Sequence, residues 1–150
     1  MKIINEKERS RIFMEDILSR PLFAHLSSAS DGSPRDSPVW FLWEEGSLWI
    51  LGNYKTDSFP KRIETEPRCA IGIIDYHVKT GLVHHVGFRG TAELEPQVAS
   101  KVKRLLNRYM GEEERWDPRF HAVSGDSNWV FIKFTPETVV VKDQSYTLRQ

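Results

Sequence analysis

The apolar positions divide the chain into short strand-like runs separated by turn signals, with helical spacing in two longer stretches. In Asn5–Ser19, Phe13, Met14, Ile17 and Leu18 fall on neighbouring helical rows, and Pro21 follows the end. Leu22–Ala29 reads as a strand closed by the turn Ser30-Asp31-Gly32-Ser33-Pro34. Arg35–Trp43 returns as a second strand, and Glu44-Glu45-Gly46 turns the chain into a third, Ser47–Leu51. Cys69–Ile74 is a nearly continuous apolar run, as expected of a strand buried on both faces. Leu82–Glu95 alternates, with His84, Val86 and Phe88 on one face and His85, Gly87 and Arg89 on the other. Gln97–Met110 is the strongest helix, with the stripe Val98, Val102, Leu105, Leu106 and Tyr109 closed by Gly111. Asn128–Phe134 and Glu137–Lys142 supply two closing strands, broken at Thr135-Pro136, and the last eight residues form a polar tail. A meander of short strands with tight turns points to an antiparallel sheet or barrel.

Two stretches carry candidate chemistry. Residues 52–62 run from a strand through a polar loop into a short helix, with Asp57 or Ser58 as N-cap and Pro60 in the first turn. Glu66-Pro67 ends that helix, because the residue before proline is driven out of the helical region. Hydroxyls, free amides and the bases Lys55, Lys61 and Arg62 converge there, which suits a phosphate as well as it suits an ordinary solvated loop. The second stretch is the strand containing Pro38, which cannot donate to a ladder and so predicts an edge or a bulge. Trp40, Phe41 and Trp43 follow it; they suit either a core or a planar aromatic ligand beside a free edge.

Composition narrows the field. The 150 residues suit one domain. Lys+Arg and Asp+Glu both number 21, so charge gives no reason to expect nucleic acid or an acidic membrane surface. The first twenty residues hold no apolar block suited to a signal peptide or a membrane span, which makes the cytoplasm the default location. The single Cys69 reads as a small core residue. His84 and His85 point to opposite faces, and His25, His77 and His121 have no ligand spacing, so no metal site is expected. No Ser/His/Asp or Cys/His arrangement emerges from spacing.

The ordered set of motifs resembles the pyridoxamine 5′-phosphate oxidase-like family of FMN-binding split-barrel proteins. Its carriers are Asp31-Gly32-Ser33-Pro34, Arg35-Asp36-Ser37-Pro38-Val39-Trp40-Phe41, Trp49-Ile50-Leu51-Gly52-Asn53 and Ser58 with Lys61. Glu66-Pro67-Arg68, Gly90-Thr91-Ala92-Glu93 and Trp129 before a strand ending at Pro136 complete it, over roughly Phe13–Lys142. The resemblance implies a mainly β fold: a six-stranded antiparallel Greek-key split barrel with peripheral helices, forming a homodimer with two FMN sites between subunits. It places Arg35 at the phosphate or ribityl chain, and Ser37, Val39 and Trp40 along the isoalloxazine ring. Gly52, Asn53, Ser58 and Lys61 match the phosphate end, and His85 falls where relatives place a glutamine against the flavin. Here Ser58 and Lys61 stand two residues apart instead of one, which leaves Lys55, Lys61 and Arg62 as alternatives for the phosphate contact. The segment after the last strand, Asp143–Gln150, lacks the arginine and histidine pattern with which true pyridoxamine phosphate oxidases grip their substrate. The expected function is therefore FMN-dependent oxidoreduction of a small molecule other than vitamin B6, with His85 as the one candidate for proton delivery. The alternatives are a non-catalytic flavin carrier, sensor or stress-response protein, and a haem- or deazaflavin-binding relative.

Overall fold

A computed structural model describes residues 1–150 as one eight-stranded sheet that curls on itself, with three α-helices on its outside. The strands are β1 (Lys2–Ile3), β2 (Ala24–Ser28), β3 (Arg35–Val39), β4 (Leu42–Glu44), β5 (Ser47–Asn53), β6 (Arg68–His77), β7 (Leu82–Pro96) and β8 (Trp129–Asp143). The helices are α1 (Ser10–Ser19), α2 (Phe59–Thr65) and α3 (Ala99–Met110). The sheet order is β3-β2-β6-β7-β8-β5-β4, with the two-residue β1 beside β8 as the one parallel pairing. The ends of the path, β3 and β4, are joined through Trp40 and Phe41 but do not pair, so the barrel is split. Six of the strands have five or more residues; β1 and β4 are short additions to the expected six. The edge position predicted by Pro38 is found, since β3 pairs on one side only, with Pro38 opposite His25.

Alternation decides what the barrel buries. Leu26, Ile71, Ile73, Val86, Phe88 and Val139 point inward, and α1 closes one mouth with Met14, Ile17 and Leu18. A second apolar cluster lies under α3, where Val102, Leu105 and Leu106 meet Trp49, Trp116 and Phe131. Its ring-to-ring geometry is edge-on between Trp49 and Phe131.

Four expectations are corrected. The helix predicted from Asn5 begins at Ser10, because the Asn5 side chain bonds the Val141 backbone in both directions and ties the turn after β1 to β8. The helix predicted from Gln97 begins at Ala99; Pro96 still belongs to β7. The two closing strands are one: β8 runs through Pro136, and Glu137 is the extra residue between Gly90↔Pro136 and Arg89↔Thr138. A Cβ at Gly90 would lie 2.1 Å from the Thr135 carbonyl oxygen, so the bulge requires glycine. Finally, β6 is buried on one face alone: Ile73 is fully buried, whereas Ile74 is 56% exposed. The tail is not free either. Tyr146 N–H donates to the Gly81 carbonyl and Gln144 N–H to that of Val83, which lays the tail along the β6–β7 hairpin.

Candidate functional site

The short α2 begins where the polar loop after β5 ends, and it turns Arg62 toward the β2–β3 hairpin. The Arg62 guanidinium donates to three hydroxyls from three elements: Nε to Ser28 at 2.9 Å, Nη1 to Ser58 at 2.7 Å and Nη2 to Ser37 at 3.4 Å. Ser28 is almost fully buried, and Arg62 itself is half-buried. All of these partners are neutral. Asp31, in the β2–β3 turn, is held below the usual carboxylate range by the Ser33 N–H, then by the charge of Arg35 and, more weakly, of Arg62. Arg35 stands beside the cluster, loosely paired with Asp31 at 3.9 Å and half exposed. A half-buried cation without an ion pair is costly to keep empty-handed, and a ligand anion is what such a group attracts.

The other predicted residues are distributed less evenly. Lys61 points away from the cluster, with Nζ 5.3 Å from the centre of the Tyr54 ring. Lys55 is exposed in the loop. Asn53 shapes that loop: its Oδ1 accepts from the Lys55 and Thr56 amides, while its own N–H donates to Asp57 at 2.8 Å. The room left by the missing side chain of Gly52 is taken by Phe59, whose ring would stand 2.8 Å from a Cβ there. Ser58 caps no amide; its hydroxyl faces Arg62 instead. Sequence reasoning offered Arg62 only as one of three bases. Two adjacent positions on a helix differ by about 100° in direction, and docking of Ile63 into the core decides which one faces inward.

The split lies between β3 and the three-residue β4, and past the end of β4 it leaves β3 opposite the far half of β5. Between them lies a cavity of about 270 Å³ walled by Pro38, Val39, Trp40, Leu51 and Phe59, with α3 and the segment 118–125 across from them. The two candidate stretches, 35–40 and 52–62, therefore meet in one cleft and through the Arg62–Ser37 contact. Trp40 does not enter the barrel. It stacks on Tyr109, with centroids 4.6 Å apart and planes within 3°, and Phe120 continues the stack at 5.7 Å. Phe41 is fully buried, and Trp43 packs near Phe88, so these two serve the core.

His85 lies elsewhere. It projects from the outer face of β7 over Gly87 and Gly72, which are cross-strand partners and leave the ring a flat floor. Burial, and then the charge of Lys142, hold its pKa below the ordinary histidine value. β2 and β6 separate it from β3, about 14 Å across three strand steps. One chain does not bring His85 to the Arg62 cluster. His84 faces inward and stacks on Phe13 at 4.2 Å, so the adjacent histidines point apart as expected.

The family model described as pyridoxamine 5′-phosphate oxidase matches residues 12–142. The chain belongs to that family. A comparison with curated protein sequences finds no match. Among solved structures, this family member is similar to General Stress Protein 26 from Bacillus anthracis str. Sterne, at 18% identity and a TM-score of 0.68 over 95% of this chain and 99% of that one. It is similar to an F420 reductase at 24% identity, with a TM-score of 0.63 over 83% and 94% of the two chains. A FAD-binding protein from Mesorhizobium loti aligns at 19% identity, with a TM-score of 0.68 over 91% and 96%. At these identities the three likenesses concern the fold, and they agree with the split-barrel topology. No helix is long and apolar enough to cross a membrane.

Proposed function

We propose that this member of the pyridoxamine 5′-phosphate oxidase family binds FMN and acts as an FMN-dependent oxidoreductase on a small molecule. The observation that carries the reading is the Arg62 guanidinium, presented by Ser28, Ser37 and Ser58 without a carboxylate partner. A phosphate monoester is a dianion with three acceptor oxygens, and a guanidinium with a second arginine nearby answers both its charge and its geometry. Arg62 and Arg35 would hold the phosphate, with the serine hydroxyls as further donors. β3 would run along the ring, since its outer edge has unpaired backbone groups able to read a polar heteroaromatic rim. The flavin supplies the electron transfer when bound, and the chain's part is to orient it and exclude water.

A homodimer is part of the reading. Ile74, Tyr76 and Val78 are 56%, 54% and 67% exposed at the outer face and end of β6, next to the flat Gly72–Gly87 floor. A second copy covering that apolar face would also let His85 of one subunit approach the β3 edge of the other. The same reading places the protein in the cytoplasm. Its buried Cys69, whose thiol burial pushes up to about 11, has no chemistry to contribute.

The experiment is an absorbance spectrum of the purified protein with mass spectrometry of whatever copurifies, followed by anaerobic photoreduction and a screen of electron acceptors. Bound FMN and reoxidation by one acceptor class are expected. A protein that neither carries nor takes up FMN contradicts the cofactor, a haem Soret band replaces it, and bound FMN with no turnover reduces the function to a flavin carrier or sensor.

A further inference from the structure

We infer that the gap between β3 and β5 is the substrate pocket of this site, and that it takes a flat, apolar, uncharged or cationic ring while excluding anions. The inference rests on the flavin reading only in calling the occupant a substrate; the binding itself is read from the pocket. Its wall is aromatic and aliphatic, with Trp40, Phe59, Leu106, Phe120, Val123 and Trp129 around about 270 Å³. At interior packing density of about 0.75, that space holds about 200 Å³ of ligand, the size of a mono- or bicyclic aromatic. The wall is also uncovered: Phe23 at the rim is 56% exposed, a large apolar surface left to solvent beside the cleft.

Charge decides the class. The one ionisable residue in the lining is Asp57. One of its oxygens accepts from the Asn53 N–H, so the carboxylate is fixed at the pocket rather than free to swing away. No Lys, Arg or His contributes to the wall. The Arg62 cluster reaches Ser28, Ser37 and Ser58, none of which lines this cavity. An anionic ring placed here would lose its hydration, gain no cation and face a carboxylate. Neutral rings meet no such penalty. They gain contact with Trp40 and Phe120, which both line the pocket and are held in a Tyr109–Trp40–Phe120 stack with Trp40 in the middle. A cation gains Asp57 in addition. The two ends of the site thus sort their ligands by charge: dianion at Arg62, neutral or cationic ring in the gap.

The test uses two ring probes of similar shape, 2-naphthol and naphthalene-2-sulfonate, titrated calorimetrically into the intact protein with and without FMN. The neutral probe is expected to bind at least about 10-fold more tightly than the sulfonate. Asp57→Asn keeps the acceptor for the Asn53 amide but removes the charge, and is expected to bring the two affinities closer together. Val123→Trp, which fills the cavity, is expected to weaken 2-naphthol by about 10-fold or more while FMN affinity stays unchanged. Should that variant fold poorly, Phe120→Ala removes a half-buried wall ring and is expected to weaken 2-naphthol several-fold. Equal affinity for the two probes, no binding of 2-naphthol, or unchanged 2-naphthol affinity in the folded wall variants would each overturn the inference. Loss of FMN binding alone, with 2-naphthol still preferred, would overturn the flavin reading and leave the pocket assignment standing.

Discussion

Two arginines in this barrel sit in similar burial and do opposite things. Arg20, at the end of α1, meets Asp16 and the buried Asp75, and Asp75 also takes a bond from His77 at 2.8 Å. Burial alone would raise the Asp75 pKa, but the hydrogen bond and charge of Arg20, and then His77, outweigh it and hold the carboxyl below its ordinary range. Arg62, in contrast, is surrounded by hydroxyls alone. The first cluster is electrically closed and fastens α1 to β6. The second is positioned but not neutralised. The partner's charge, more than burial, separates an arginine that holds the fold from one that awaits an anion.

The largest expected effect breaks the closed cluster. Asp75→Asn leaves Arg20 only the exposed Asp16 as an ionic partner and is expected to cost about 3 kcal/mol, or roughly 6–12 °C in Tm for a chain of this size, measured by thermal unfolding with FMN affinity nearly unchanged. Next comes Arg62→Ala, expected to weaken FMN by about 2 kcal/mol, roughly 30-fold, with a smaller loss of stability than Asp75→Asn, read from fluorescence titration and unfolding together. Lys61→Ala is expected to change FMN affinity by less than about 0.5 kcal/mol, because that side chain lies over Tyr54 and is exposed. An equal loss in both variants would erase the distinction between the two neighbouring bases.

The smallest effect concerns pH. His85 has a depressed pKa in the fold, so the unfolded chain binds its proton first as pH falls. Its contribution is fully present above the unfolded histidine value of about 6.5 and is lost as pH drops through the lowered folded value. His85→Gln is expected to flatten that acid limb of the stability curve, measured by urea unfolding between about pH 7.5 and 5.

Much of this architecture was legible because it depends on local rules. Pro38 marks an edge because it lacks an N–H, and Glu66-Pro67 ends α2 because of backbone crowding. What escaped depends on contacts far apart in the chain. Asn5 is drawn out of its helix by Val141, 136 positions away, and β8 survives Pro136 because Gly90 lets the opposite strand come close. The site shows the same division. The polar loop and the bases of residues 52–62 could be found by composition, but whether Lys61 or Arg62 turns inward depends on how α2 docks. The resemblance put Gly52 at the phosphate end, yet Phe59, seven residues later, fills the space beside it. The cation-free wall of the gap was also invisible, because it is assembled from β3, β5, α3 and the segment before β8.

The central claim is that Arg62 reads a phosphate, and FMN against riboflavin, which lacks that phosphate, isolates the group in question. Equilibrium titration of both flavins into the wild-type protein and Arg62→Ala is the direct measurement. A preference for FMN of about 10-fold or more in the wild type, collapsing toward equality in the variant, is the predicted result. Equal binding of the two flavins by the wild type, or a preference that survives loss of Arg62, would contradict it.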